Sequence, residues 1–323
     1  MRLPPLLLES QFFLFSSLEE LLAALGDSVA ELEKEEVARL AALGLPPISS
    51  RDALATMLGI NPGLVWSFEH RSAKHYRRFT IPKGAGQERV IIAPRVALKI
   101  VQKWVSVQLQ RAYAAPQHVF GFVPGRSHID AAKQHRLAEW TYSVDIADFF
   151  PSTPLRTVTA VFNRLGYGDE VASMLASLSC YQGFLAQGAP TSPVISNLAL
   201  HEVDRRLIDI SRSFDVRVSR YADDIVFSGQ NGFPEELVDE VNEIFIDTPW
   251  TISQGKTELN RLPRRLKVHG LLVHGAQARL TKGYRNKLRA YAHLIKNGLI
   301  QEGHKLRVKG HLRYGEQVKE AAD

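Results

Sequence analysis

The spacing of apolar and polar positions along this chain changes repeatedly, and each change predicts an element. Leu18, Leu21, Leu22 and Leu25 recur at helical spacing behind Ser17, with Glu20 three residues on, which predicts a capped helix over 17–44 ended by Pro46-Pro47. A short helix is predicted over 51–58, closed by Asn61-Pro62-Gly63. From Tyr76 to Ala93 the period falls to two around Lys83-Gly84-Ala85-Gly86, the pattern of a hairpin with a glycine-rich turn. Val96 to Tyr113 returns to helical spacing. Trp140 to Ile146 reads as a strand with Tyr142, Val144 and Ile146 on one face and Ser143 and Asp145 on the other. Ser192-Pro193 predicts a helix start, Ser192 capping and Pro193 in the first turn, with Ile195, Ala199, Val203, Leu207 and Ile210 along one face. Val216, Val218 and Tyr221, then Ile225-Val226-Phe227, predict a second hairpin whose tip carries Asp223-Asp224. Strands and helices mixed in this way, with polar chemistry at strand ends, predict an α+β fold.

Size and composition narrow the class. A chain of 323 residues, 45% hydrophobic, exceeds one minimal domain and predicts two or three subdomains. Its single cysteine, Cys180, excludes an internal disulfide and a thiolate zinc site, which suits a reducing compartment. Glu9 and Gln11 interrupt the apolar stretch from Leu6 to Phe15, so neither a secretory leader nor a membrane helix is expected. A soluble cytoplasmic protein is the expectation, with no membrane partner.

Charge adds a direction. The net charge is +6, yet residues 264–323 hold fourteen Lys or Arg against four acids, and residues 1–50 hold three against eight. A basic C-terminal segment predicts polyanion binding, with an ordinary solvated helix face as the bland alternative. Lys282, Arg285, Lys287 and Arg289 fall on a helix predicted to begin near Thr281.

Adjacent carboxylates repel unless a cation lies between them, so Asp223-Asp224 at a hairpin tip is economically read as a divalent metal site. Turn chemistry alone would also explain the aspartates. Asp145 at a strand end supplies a third acid. Three carboxylates suffice for two Mg²⁺, which keep waters and substrate phosphates in their shells and suit in-line phosphoryl transfer.

Those blocks, in their order, resemble the reverse transcriptases, and most closely the bacterial retron type. The blocks are Tyr76 through Lys83, Gly121 through Ser127, Asp145 through Phe150, Gln187 through Pro193, Tyr221 through Asp224, and Lys256-Thr257 to Val268-His269-Gly270-Leu271. The resemblance spans about residues 51–320. The resemblance implies a right-hand polymerase with fingers, palm and thumb. It implies mainly fingers over 51–140 and mainly palm over 141–263, while residues 1–50 fall outside it and read as an N-terminal helical extension. A helical insertion falls at about 153–185, and a basic thumb at 264–323.

It also implies residue roles. Asp145, Asp223 and Asp224 would hold two Mg²⁺ ions, with Mn²⁺ as a substitute, joined by the backbone carbonyl of Ile146. Lys256 would protonate the pyrophosphate leaving group. Lys83 and Arg89 would hold the triphosphate of a dNTP, and Gln187 and Gly188 would contact the nucleotide. Phe150 would be the steric gate against a ribose 2′-OH, or simply a core ring. Tyr221 and Ala222 would lie at the primer terminus. His135, within Ala131-Ala132-Lys133-Gln134-His135, and His269 stand where the family carries Asn-Ala-x-x-His and Val-Thr-Gly, elements linked to its structured RNA. The asparagine of the first and the threonine of the second are absent here. His135 would contact RNA or order its loop. The implied activity is copying a structured noncoding RNA into single-stranded DNA, within an anti-phage system and with an effector protein as a further partner. Another defence-type or abortive-infection polymerase is one alternative. A second is an RNA–DNA-binding scaffold restraining an effector, unless the acidic N-terminal helix simply braces the fingers.

Overall fold

The computed structural model describes residues 5–26, 29–84 and 86–321. The chain divides into two compact units, each built from two stretches of sequence: Met1–Ala115 with Asp148–Glu202, and Pro116–Ala147 with Val203–Asp323.

The first unit is mainly helical. Its hairpin pairs β1 (Tyr76–Gly84) with β2 (Gln87–Pro94), and the register runs from Tyr76 opposite Pro94 to Ile81 opposite Arg89. The pairing becomes irregular between Pro82 and Gly84. Ala85, in the expected glycine-rich turn, lies outside the described residues. Helix α1 (Val96–Ala112) carries Leu98, Val101, Trp104, Val105 and Leu109 into the unit's core. These positions follow the three-and-four spacing of one helical face.

The expected helix over 17–44 is two helices, Leu18–Leu25 and Glu31–Ala42. The break follows Gly26, whose φ of 73° ends the first helix in a conformation that costs glycine little. Ser17 does cap that helix, accepting from the Glu20 amide, while the Glu20 carboxylate accepts the Ser16 amide. Leu21, Leu25, Val37 and Leu40 enter the same buried cluster as Trp104 and Phe162. Gln11 donates to the carbonyls of Ala41 and Leu45, and Tyr167 donates to that of Pro46. The two helices of residues 18–42 and the segment after them are thus packed into this unit. Ser192 begins its helix but does not cap it; its hydroxyl donates to the Ala186 carbonyl at 2.7 Å.

The second unit is organised on a four-stranded antiparallel sheet of order β4–β5–β3–β6. These strands are β3 (Trp140–Asp145), β4 (Arg217–Tyr221), β5 (Asp224–Gly229) and β6 (Glu258–Arg261). The alternation Tyr142, Val144 against Ser143, Asp145 is observed. Helix α2 (His128–Gln134) begins with a capping box between Ser127 and Asp130. Helix α3 (His201–Ser213) follows a separate helix, Ser192–Ala199, so the expected single apolar face is divided between two helices. The chain ends in α4 (Lys282–Lys296), with Thr281 as N-cap, and α5 (Glu302–Glu320). Among the described residues no helix is long and apolar enough to cross a membrane.

Candidate active site

Strand register brings two of the sequence-predicted acids together. β3 and β5 pair with Asp145 opposite Asp224, and β4 and β5 pair with Tyr221 opposite Asp224. The connection is therefore the two residues Ala222-Asp223, rather than the Asp223-Asp224 tip expected from sequence. In a two-residue hairpin the loop length sets the register. Asp224 is thus a strand residue on the Asp145 face, and Asp223 alone occupies the turn. Ala222 takes a left-handed φ of 61°, a conformation that costs a residue with a Cβ free energy.

The backbone around these acids is tied down. Ile146 donates its amide to the Asp223 carbonyl at 3.0 Å, Ser253 donates to the Asp145 carbonyl at 2.8 Å, and Ala147 donates to Thr251 at 2.9 Å. The 3₁₀ turn Gln254–Lys256 follows directly. Lys256 Nζ lies 2.5 Å from Asp145 Oδ1, and His269 Nδ1 lies 3.1 Å from Asp224 Oδ2. Asp145 is 18% exposed and Lys256 52%, so the lysine end of that pair remains in water.

Electrostatics single out Asp223. Burial raises its pKa above the ordinary carboxylate value, and the Asp145 and Asp224 charges raise it further, while Lys256 opposes them. A carboxylate destabilised by its own neighbours is a place where a cation is favourable. The donor set, three carboxylates with a strand-end carbonyl at Ile146, is hard oxygen, the chemistry that Mg²⁺ or Mn²⁺ takes. It fits a divalent ion. Among the described residues, however, no three His, Cys, Asp or Glu side chains converge into a preformed metal cluster. Lys256 and His269 instead hold two of the three acids.

The other predicted residues divide between the units. In the second, His135 is fully buried, its Nδ1 2.7 Å from Ser228 Oγ and its Nε2 2.7 Å from Ser219 Oγ. The expected edge for RNA is not presented; the ring joins β4 to β5 from the face bearing α2. Burial pushes its pKa down to about 3, with Arg217 and His269 adding to the effect. His269 packs its ring 5.2 Å from that of Tyr221. His128 lies between Tyr221 and Tyr314, its Nε2 3.1 Å from the Tyr314 hydroxyl. On α4, Lys282, Arg285 and Arg289 share one face, whereas Lys287 falls about 140–160° away by the helical period. Its ammonium sits over the rings of Tyr284 and Tyr291 at 5.8 and 5.4 Å. The expected four-cation cluster is two faces. Arg285 and Arg289 line a cavity of about 650 Å³ whose floor includes Leu280, Leu288 and Leu312.

In the first unit, Lys83 and Arg89 are exposed on the hairpin. The Gln187 carbonyl accepts the Ile92 amide at 2.9 Å, which fixes the Gln187-Gly188 turn against β2. Gly188 has φ 128°, and a Cβ there would meet Ile91 Cγ2 at 2.8 Å and the Ile92 carbonyl at 3.1 Å. Both strain and space demand glycine. Phe150 is half-buried, its ring 5.3 Å from that of Phe149 and packed on the unit's core.

Sequence reasoning passed over Arg220 and Asp204, which form a buried ion pair behind the turn, with His118 beside it. The available signal was an arginine in step with the apolar positions Val216 and Val218 before Tyr221.

The profile described as "Reverse transcriptase (RNA-dependent DNA polymerase)" matches residues 81–273, and the chain belongs to that family. Within it the chain is of the retron type. It is 31% identical to the Retron Mx65 reverse transcriptase of Myxococcus xanthus, over 86% of this chain and 70% of that one. It is also 31% identical to the Retron Mx162 reverse transcriptase of Myxococcus xanthus, covering 85% and 64%. Identity to the Retron Ec86 reverse transcriptase of Escherichia coli is 28%, covering 82% and 83%. Among solved structures, telomerase from Candida albicans in complex with a fragment of telomeric RNA aligns with a TM-score of 0.47 and 10% identity. That alignment covers 72% of this chain and 55% of that one, a likeness too loose to argue from.

Proposed function

We propose that this protein is an RNA-directed DNA polymerase that copies a structured noncoding RNA into single-stranded DNA, as part of an anti-phage system. The observation that carries the reading is the pairing of Asp145 with Asp224 while Asp223 occupies the adjoining turn. We assign the fingers to the hairpin and helices of residues 51–140, the palm to 141–263 and the thumb to 264–323.

Asp145, Asp223, Asp224 and the Ile146 carbonyl would hold two Mg²⁺ ions. Such ions, when bound, lower the pKa of an attacking hydroxyl and offset charge on the transferring phosphoryl group. The chain's own residues do the rest. Lys83 and Arg89 donate to the triphosphate, as charge-assisted donors do best. Gly188 lets the backbone approach the incoming base pair, and Phe150 presses on the sugar where a 2′-OH would stand. Lys256, half in water, passes an Nζ proton to the leaving pyrophosphate oxygen. Tyr221, Ala222 and His269 border the primer end. Lys282, Arg285 and Arg289 meet duplex phosphates without reading sequence.

The test is incorporation of dNTPs on an RNA template by the full-length protein, against Asp223→Asn. We expect the variant to lose about 10³-fold or more in rate, roughly 4 kcal/mol of barrier, and chelation of divalent ions to abolish wild-type activity. A wild type that incorporates no more than Asp223→Asn, on model templates and on RNA that co-purifies with it, refutes the reading.

A further inference from the structure

Strand β4 carries a charge on a face that is otherwise apolar. Val218 on the same side is buried, as are Ile225 and Phe227 across from it on β5, yet Arg220 between them has no exposed surface at all. Its partner comes from α3. Arg220 Nε and Nη2 each donate to Asp204 at 2.6 Å, one to either carboxylate oxygen, and His118 Nε2 lies 3.5 Å from Oδ1.

Stability is a weak reason for such a pair. Two charges lose their hydration on burial, and well-packed apolar residues in their place are often as stable or more so. The guanidinium does something that no apolar residue could. Its remaining terminal nitrogen, Nη1, donates to the carbonyl of Ala222 at 3.0 Å. Ala222 is the left-handed residue of the turn, and its carbonyl carbon is bonded to the nitrogen of Asp223. The guanidinium is a rigid plane, so Asp204, by taking two of its donors, also aims the third.

The turn is confined from a second side. A Cβ on Gly121 would stand 2.1 Å from the Ala222 nitrogen and 2.8 Å from the Tyr221 carbonyl carbon. The segment carrying it is laced to β4, since Arg220 donates its amide to His118 and accepts that of Phe120, both at 2.8 Å.

We propose that Arg220 is a positioning residue for the polymerase reaction. Oriented by Asp204, it holds the Ala222 carbonyl and so sets where the Asp223 carboxylate stands, with Gly121 packed close against the Ala222 nitrogen. The proposal rests on the reading of Asp223 as a catalytic acid. Displacements near 1 Å at a reacting centre can cost about a hundredfold in rate, so a carboxylate freed to wander should be felt in kcat.

The experiment compares full-length wild type, Arg220→Met combined with Asp204→Leu, Arg220→Lys, and Gly121→Ala. Thermal midpoint, primer–template Kd by fluorescence anisotropy, and kcat and KM for single-dNTP addition are measured on each. The double variant removes both charges together and so avoids an orphaned buried ion. It should melt within about 5 °C of wild type and bind duplex within about twofold. Its kcat should fall about 10- to 100-fold with KM changed less than about threefold. Arg220→Lys keeps a cation beside Asp204 but cannot serve both acceptors from one plane, and should restore only part of kcat. Gly121→Ala should lower kcat as well. A double variant that folds and keeps kcat within about threefold of wild type overturns the proposal. Should the double variant not fold, a Gly121→Ala protein with wild-type kcat overturns it instead. A wild type no more active than Asp223→Asn sinks the polymerase reading and the proposal together; an active wild type with an equally active double variant sinks the proposal alone.

Discussion

Acid should weaken this protein through His135, by an amount the structure allows to be worked out. The imidazole is wholly buried between Ser219 and Ser228, with burial as the main cause of its lowered pKa and the charges of Arg217 and His269 adding to it. In the unfolded chain the ring takes up a proton near pH 6.5; in the folded one it resists until about 3. Between those values the unfolded state binds more protons, so the histidine's contribution is fully present above about 6.5 and lost as pH falls toward 3. Each pH unit in that window is worth about 1.36 kcal/mol, and a descent to about pH 5 therefore costs about 2 kcal/mol. Many other groups titrate over the same range. The useful quantity is thus the difference between wild type and His135→Gln, whose neutral amide bridges the serines without a titration of its own. Urea unfolding at about pH 7.5 and about pH 5 should show the wild-type midpoint falling about 1 M further than that of the variant, for a slope near 2 kcal/mol/M. Equal falls in the two proteins would refute the reasoning, because the histidine would then be charged, or water-exposed, in the folded state.

Two further outcomes bear on the site and on the basic helix. Phe150→Ala should let ribonucleotides in, lowering the ratio of kcat/KM for a dNTP over the matching rNTP by about tenfold or more, while costing about 2 kcal/mol in stability because the ring is half-buried on Phe149 and the core; an unchanged ratio leaves Phe150 a packing residue. Arg285→Gln combined with Arg289→Gln should flatten the salt dependence of duplex binding by roughly 1.5 in log–log slope, and Lys287→Gln, which sits over Tyr284 and Tyr291, should leave it nearly unchanged; the reverse pattern would put the duplex on the other face of α4.

Much of the fold was legible because local chemistry and tertiary demand agree there. The alternation Tyr142, Val144 against Ser143, Asp145 is a strand by period alone, and Thr281 caps a helix through its own hydroxyl. Reading failed where a distant partner intervened. Ser192 looked like a cap, yet the Ala186 carbonyl takes its hydroxyl. Residues 17–44 looked like one helix, since apolar spacing does not register a single left-handed glycine at 26. For His135 two readings stood, an RNA contact or a loop-ordering ring, since nothing in its neighbours in sequence tells that Ser219 and Ser228 close over it. The four basic residues of α4 looked like a cluster, because a count of charges ignores the angle between them.

By itself the amino-acid order determined the chemistry this protein can offer: which three carboxylates are candidates for the site, which aromatic follows the first of them, and which segment is basic. These are properties of residue type and short spacing, and they need no partner to be expressed. Only the tertiary structure decided the register that sets Asp145 against Asp224, the ammonium and imidazole that hold those acids, and the arginine that grips the turn between the strands. The first two depend on segments tens of residues apart coming together, and the arginine is aimed by Asp204 from another element; a one-residue slip of β5 would turn Asp224 to the opposite face while leaving the composition unchanged.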